Sequence, residues 1–268
     1  MKHLPLYFVS GLPRSGSTLL MNLLGQNPNF HVTPTNDLIE LIVQMRNTWQ
    51  NHISFKSQGT DIVLPRVLGS MRGVMSGFFE KEFEEGKVVF DKSRGWIAYI
   101  ELIEEILQRP VRIIVTVRDV KSIVSSFEKL HRKNQVTKTS AGGNAFYDQQ
   151  TVNGRARQLL NIEAVAGLSI ARLRDSIDKG LSDRLIIVPY HELTTNTSNV
   201  MNQLNSELNL DPFEYDPNFV KQVTHEDDSV HGMKLHEIRN KVEFQKPDWD
   251  EVLTPFVCEW IDKEYADI

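Results

Sequence analysis

An eight-residue loop near the N-terminus constrains the fold of this chain more than any other feature. It reads Gly11-Leu12-Pro13-Arg14-Ser15-Gly16-Ser17-Thr18 and lies between an apolar run at residues 4–10 and an apolar helical pattern at residues 18–26. A loop between a strand and a helix turns successive backbone N–H groups toward one point, at the positive end of the helix. The sequence therefore predicts a site for a phosphate or sulfate oxyanion at the end of the first strand.

The spacing of this loop matches G-x-x-x-x-G-[KST]-[ST], the frame of a nucleotide-binding P-loop. Ser17 stands where loops that bind nucleoside triphosphates carry a lysine, and the cation of the loop is instead Arg14. Because the usual lysine is missing, an ordinary ATPase or kinase is disfavoured. A plain glycine-proline turn is disfavoured as well, since strand, loop and helix follow in the order that the motif requires.

Strand-like and helix-like patterns alternate along the rest of the chain. Strands are predicted at residues 4–10, 30–33, 87–91, 111–117 and 184–188. Helices are predicted at residues 18–26, 38–49, 62–83, 97–108, 119–132, 152–179 and 249–265. This alternation predicts an α/β chain with a three-layer P-loop-type fold, a mainly parallel central sheet covered by helices on both faces.

No domain boundary is visible, and residues 1–268 are predicted to form a single domain. Residues 133–150 and 215–247 fit neither pattern. Long irregular stretches in a compact domain are often lids or binding loops, so we predict mobile loops there, with disorder as the alternative.

Charge and cysteine content restrict the environment and the partners. A net charge of −5 argues against nucleic-acid binding, which needs a basic surface. The single Cys258 excludes an internal disulfide and favours a reducing compartment. No apolar stretch approaches the ~20 residues of a membrane span. We therefore expect a cytoplasmic protein without a membrane partner.

The loop resembles the phosphosulfate loop of the sulfotransferase family, P-[KR]-S-G-[ST]-[ST]-x-[LF]. The chain has Pro13-Arg14-Ser15-Gly16-Ser17-Thr18-Leu19-Leu20 at these positions. The resemblance implies that the sulfonate donor is 3′-phosphoadenosine 5′-phosphosulfate (PAPS) and that adenosine 3′,5′-bisphosphate (PAP) is released. It also implies that the donor's 5′ end binds Pro13, Arg14, Ser15, Gly16, Ser17 and Thr18.

A second segment resembles the family's site for the 3′-phosphate, R-[DN]-P-x-x-x-x-x-S. Arg118 follows the predicted fourth strand, and Ser126 lies eight residues later. A guanidinium pairs with phosphate through two hydrogen bonds, and a helical hydroxyl adds a donor. Val120 replaces the proline of the pattern, which only preorganises the first helical turn. Asp119 is predicted to cap that helix.

Two cations are the candidates for stabilising the charge of the transferring group: Arg14 in the loop and Lys92 at the end of the third strand. Lys92 resembles a strand-end lysine that contacts the donor in the tyrosylprotein branch of the family. The alternative is that Lys92 is solvated and pairs with Asp91.

The general base is harder to place. The tyrosylprotein branch has a glutamate just after the second strand, where this chain has Thr35. Asp37 and Glu40 lie nearby, but their spacing also predicts a capping box that opens the next helix. Two alternatives remain: the base comes from the histidine-rich late segment, or the acceptor is an amine that needs little help from a general base.

The late segment, residues 225–236, contains three histidines and several acids in a spacing that matches no familiar metal site, so we expect no metal. It resembles the donor-covering region of the family. Within the following residues Lys246 resembles a lysine that reaches the nucleotide in the tyrosylprotein branch. Tyr190, after the fifth strand, resembles a family segment that we interpret as structural.

The sequence thus predicts an enzyme that moves a sulfonate from PAPS to a hydroxyl or amine of a small-molecule, carbohydrate or peptide acceptor. Two alternatives stay open: a P-loop nucleotide or small-molecule kinase that uses ATP, and a non-catalytic nucleotide-binding module.

Overall fold

A computed structural model of the chain describes residues 4–134, 150–227 and 236–268. Five parallel strands form its sheet in the order β2-β3-β1-β4-β5. The strands are β1 (Leu6–Gly11), β2 (Phe30–Thr35), β3 (Val88–Lys92), β4 (Ile113–Val117) and β5 (Leu185–Pro189). The predicted parallel α/β fold is confirmed. Most of the predicted loop at 133–150 and the middle of the one at 215–247 lie outside the described residues.

Strand register brings the ends of three strands together. Val9 of β1 pairs with Lys92 of β3, and Gly11 of β1 pairs with Thr116 of β4. Because all strands run in the same direction, the loop after β1, the end of β3 and the residues after β4 meet at one edge of the sheet. This edge holds every strong motif of the sequence.

Thirteen α-helices lie in the described part of the chain. They are α1 (Ser17–Leu24), α2 (Leu38–Asn51), α3 (Ile53–Lys56), α4 (Thr60–Phe78), α5 (Glu80–Glu84), α6 (Ile100–Leu107), α7 (Val120–Asn134), α8 (Val152–Leu159), α9 (Val165–Asp178), α10 (Tyr190–Thr195), α11 (Thr197–Glu207), α12 (Trp249–Val252) and α13 (Pro255–Glu264).

The apolar core lies in two clusters, one on each face of the sheet. Phe8 and Ile113 point into the first cluster, with side chains of α2, α6, α7 and α9. Their strand neighbours Val9 and Ile114 point into the second cluster, with side chains of α1 and α11. Successive side chains of a strand alternate between faces, so a strand that is apolar throughout needs helices on both sides. This arrangement is the predicted three-layer architecture.

Three of the predicted helices are each divided into two helices in the structure. Residues 62–83 form α4 and α5, residues 152–179 form α8 and α9, and residues 249–265 form α12 and α13. Between α8 and α9, Asn161 makes a turn in which its side chain accepts a hydrogen bond from the Glu163 N–H at 2.9 Å. Before α13, Thr254 caps the Val257 N–H and Pro255 begins the new helix, which ends α12. Helices α3, α10 and α11 were not predicted.

Among the residues that the structure describes, no helix has the length and hydrophobicity to cross a bilayer.

Candidate active site at the carboxyl edge of the sheet

Backbone geometry at the first loop depends on two glycines. Gly11 passes so close to β4 that a Cβ atom there would lie 2.2 Å from the Thr116 hydroxyl. Gly16 precedes α1 in a left-handed conformation, with φ of 90°, which costs glycine little. No side chain caps the first N–H groups of α1. These groups therefore remain for an anion at the positive end of the helix.

Ser15 holds the loop in shape from the inside. Its side chain is completely buried, and its hydroxyl donates to the Leu12 carbonyl at 2.5 Å and lies 2.6 Å from the Thr116 hydroxyl. The Leu12 N–H donates to the Thr116 carbonyl at 2.9 Å. The hydroxyl of Ser15 is thus engaged within the protein, and what this residue can offer an anion is its backbone N–H.

Two adjoining cavities, of about 250 and 360 Å³, open at this edge of the sheet. The first is lined by the predicted donor residues Pro13, Arg14, Gly16, Ser17, Thr18, Lys92 and Arg118. The second is lined by Arg14, Arg118, Ser126 and Lys246. The structure therefore brings together residues that the sequence separates by more than two hundred positions. Asp37 and Glu40 do not border either cavity as the described residues define them.

Arg118 is held between the two cavities. Its guanidinium lies over the ring of Tyr190, 4.2 Å from the ring centroid, and donates to the Arg14 carbonyl at 3.0 Å. A cation over an aromatic face is attracted by the ring and is fixed in orientation. Tyr190, which the sequence suggested to be structural, is therefore a part of this site. The Asp119 carboxylate accepts from the Ser122 N–H at 3.2 Å, which confirms the predicted cap of α7.

The side chain of Arg14 reaches toward the second cavity. Its Nε donates to the Ser126 hydroxyl at 3.1 Å. Arg14 has a left-handed backbone, with φ of 61°, a conformation that is uncommon outside glycine. The predicted loop cation and the predicted 3′-phosphate residue thus lie in direct contact.

Lys92 is buried and does not pair with Asp91. Its Nζ lies 3.0 Å from Glu226 Oε1 and 3.4 Å from the Thr18 hydroxyl. Neighbouring strand residues face opposite sides of the sheet, so the Asp91 carboxylate points away and accepts from Trp96 Nε1 at 2.8 Å and from the Thr33 hydroxyl at 3.1 Å. The interpretation of Lys92 as a solvated partner of Asp91 is wrong. Burial raises the pKa of Asp91 to about 6, although Thr33, Trp96 and Asn36 hydrogen-bond to it.

Glu226 is the functional candidate that the sequence did not identify. Its Oε1 accepts hydrogen bonds from the Thr35 N–H at 2.9 Å and the Thr35 hydroxyl at 3.0 Å, beside Lys92. Its Oε2 lies 3.1 Å from His236 Nε2. Burial alone would raise the pKa of this carboxyl, but Lys92, the Thr35 N–H and His236 together hold it below its usual range. Glu226 is therefore ionised at neutral pH. The one available signal was Thr35, a non-acidic residue where the tyrosylprotein branch has an acid.

The predicted capping box at Asp37 and Glu40 is not formed. Asp37 precedes α2, but its side chain accepts no capping hydrogen bond. The Leu38 N–H is instead satisfied by Asn36 Oδ1 at 2.9 Å. An asparagine side chain can accept a hydrogen bond from the backbone N–H two residues later, and here Asn36 takes the capping role that was predicted for Asp37.

Arg94, which was also not predicted, lines the first cavity. The surrounding protein lowers the pKa of its guanidinium by desolvation, while the charges of Glu226 and Asp37 oppose that effect and Arg172 reinforces it. Two cations and a carboxylate, Lys92, Arg94 and Glu226, thus lie together around the end of β3.

The profile of the Sulfotransferase family matches residues 5–215 of the chain. The chain belongs to the sulfotransferase family. Its activity is therefore the transfer of a sulfonate group to an acceptor, and the ATP kinase and the non-catalytic module are not favoured. A sequence comparison with curated proteins gives no significant match.

Solved structures of sulfotransferases share the fold. The sulfotransferase domain from the curacin biosynthetic pathway aligns with a TM-score of 0.54 at 17% identity, over 97% of this chain and 96% of that chain. Sulfotransferase STF9 from Mycobacterium avium aligns with a TM-score of 0.52 at 16% identity, over 100% of this chain and 77% of that chain. Mouse sulfotransferase SULT7A1, solved with PAP, aligns with a TM-score of 0.52 at 13% identity, over 99% and 85%.

Proposed function

We propose that this sulfotransferase uses PAPS as donor and releases PAP. One observation carries the proposal: Arg118 and Ser126 border a second cavity that adjoins the phosphate loop. A nucleotide with phosphate at both its 5′ and 3′ positions needs two anion sites at once, and ATP needs only the first. The solved structure of mouse SULT7A1 with PAP supports the same donor class.

Within this proposal the loop and α1 hold the 5′ end of the donor. The N–H groups at the start of α1 and the hydroxyls of Ser17 and Thr18 surround the phosphosulfate, where the helix dipole favours negative charge. Arg118 and Ser126 bind the 3′-phosphate, and Lys246, which also lines the second cavity, contacts the nucleotide.

Transfer proceeds by attack of an acceptor oxygen or nitrogen on the donor sulfur, in line with the departing phosphate oxygen. Negative charge grows on that bridging oxygen. Lys92 lies beside Thr18 at the first cavity and neutralises this charge. Arg14, which lines both cavities, stabilises the transferring group from the loop. The acceptor is a small molecule, carbohydrate or peptide with a hydroxyl or amine. The single Cys258 supports a cytoplasmic location.

Binding of PAP, adenosine 5′-phosphosulfate and ATP to the R118A variant tests the proposal. Loss of one partner of a desolvated charge pair costs about 2–5 kcal/mol, so PAP should bind some tens- to thousands-fold more weakly. Adenosine 5′-phosphosulfate lacks the 3′-phosphate, and its affinity should hardly change. S126A should repeat the pattern more weakly, because a single hydrogen bond to a charged group contributes about 1.5–3 kcal/mol.

The matched control is R66A, which removes an exposed arginine of α4 and should leave all three affinities unchanged. Calorimetric titration measures each one. Equal losses for PAP and adenosine 5′-phosphosulfate in R118A, or a wild-type protein that prefers ATP to PAP, would show that the donor has been misassigned.

A further inference from the structure

A carboxylate from the late part of the chain lies at the end of β2. Glu226 is separated from Thr35 by 191 positions, yet both the backbone N–H and the hydroxyl of Thr35 donate to its Oε1. The side chain of Glu226 is only 13% exposed, and that of its partner Lys92 only 6%. A carboxylate is costly to bury unless its oxygens are satisfied, and here they are satisfied by donors from three separate parts of the chain.

His236 completes this cluster on the side of the cavity. Its Nε2 lies 3.1 Å from Glu226 Oε2, and His236 lines the first cavity together with Lys92. The histidine thus connects a buried, ionised carboxylate to the space that Lys92 borders. An imidazole held by a carboxylate is oriented and fixed in one tautomer, and its cationic form is stabilised.

We propose that His236 takes the proton of the sulfonate acceptor and that Glu226 is the positioning residue that holds both His236 and Lys92 for the transfer. This inference rests on the proposed function. The base comes from the late segment rather than from Asp37 or Glu40.

The contact with Glu226 Oε2 holds the imidazole of His236 in place for the transfer. As the acceptor oxygen bonds to sulfur, its proton moves to an imidazole nitrogen of His236 and the bond from sulfur to the bridging oxygen breaks. The electron pair of that bond leaves on the 5′-phosphate oxygen of PAP, next to Lys92. The resulting imidazolium is stabilised by Glu226 across 3.1 Å, and the cycle ends when that proton passes to water.

Charged groups from several elements lie around the pair, and Arg14, Arg118 and Glu237 line the first cavity. Lys92 extends from the end of β3, Arg94 follows β3 and lines the same cavity, and Thr35 of β2 contributes neutral donors. Glu226 contacts Lys92 through Oε1 and His236 through Oε2, so its negative charge lies between the imidazole and the ammonium group of Lys92.

The test compares H236Q and E226Q with the matched control H225Q, which changes an exposed histidine next to Glu226. The probes are PAPS with phenol and PAPS with 4-nitrophenol, which is already ionised in mildly alkaline buffer and needs no base. For H236Q we expect kcat with phenol to fall about 10²- to 10⁴-fold, the usual contribution of a positioned general base. With 4-nitrophenol the fall should be less than about fivefold.

E226Q should lower kcat with phenol about tenfold or more and shift the acidic limb of the pH profile of kcat/KM to lower pH, because the imidazolium loses its anionic partner. A purely structural role for Glu226 would not move that limb. H225Q should behave as the wild type. PAP affinity, measured on the same samples, should stay within about threefold for all variants, since none of them removes a predicted nucleotide contact.

Equal losses with phenol and 4-nitrophenol in H236Q would overturn the proposal, as would an acidic limb that E226Q leaves in place. A wild-type protein that does not bind PAP would instead refute the proposed function, so the two failures are distinguishable.

Discussion

Replacing Asp91 by asparagine should remove a pH dependence of stability that the wild type carries next to its active site. Asp91 is completely buried, and burial raises its pKa to about 6 from an ordinary value of 3.8. The folded protein therefore keeps a proton on this group at pH values where the unfolded chain has lost it. Stability must fall as the pH rises through this interval, because the folded state is the one that binds more protons.

The magnitude follows from the size of the shift. Two pKa units correspond to about 3 kcal/mol between full protonation and full ionisation. About half of this loss, roughly 1.4 kcal/mol, falls between about pH 5 and pH 8, where the other carboxyl groups are mostly ionised. The asparagine keeps an oxygen for Trp96 and does not titrate, so the stability of D91N relative to the wild type should rise by that amount over this interval.

Urea unfolding of both proteins at several pH values, followed by tryptophan fluorescence, measures the difference. Groups common to both proteins cancel in the comparison. If the two stability curves run parallel between about pH 5 and pH 8, Asp91 is ionised throughout and the raised pKa is wrong.

Two further predictions concern the phosphate loop and the contact between α7 and α8. G16A should cost about 1–3 kcal/mol and weaken PAP binding, because φ is 90° there and a new Cβ would lie 3.0 Å from the ring of Tyr190, which supports Arg118. G69A on the open face of α4 is the control and should be neutral or stabilising. R155M should cost about 3–5 kcal/mol in thermal or urea unfolding, because it leaves the buried Glu128 without its two hydrogen bonds of 2.8 Å. Burial raises the pKa of Glu128, but the hydrogen bonds and charges of Arg155 and Arg132 outweigh burial and hold that pKa below its usual range. The stability that ionised Glu128 contributes is therefore present above the ordinary pKa of glutamate and is lost as the pH falls. If R155M destabilised the protein by the same amount in strong acid, this reasoning would be wrong.

The late segment reaches the active site through two residues whose contacts the sequence did not predict. Glu226 and His236 belong to a part of the chain beyond the residues that the family profile matches, 5–215. Their contacts with Thr35 and Lys92 join that part to the sheet. The lining of the first cavity, which includes Thr35, Lys92 and His236, is therefore assembled from both parts of the chain.

The sequence by itself determined the anion loop, the parallel α/β fold and the positions of Arg118 and Ser126. These features are local: a glycine motif sets its own backbone geometry, and alternating strand and helix patterns fix the side of the sheet on which each loop emerges. The tertiary structure decided which residues from distant parts of the chain meet at the site. The contact of Thr35 with Glu226 and the support of Arg118 by Tyr190 join residues that are distant along the chain. Such contacts depend on how the whole chain packs, so no local pattern predicts that a carboxylate missing from β2 is supplied by a residue near the other end of the protein.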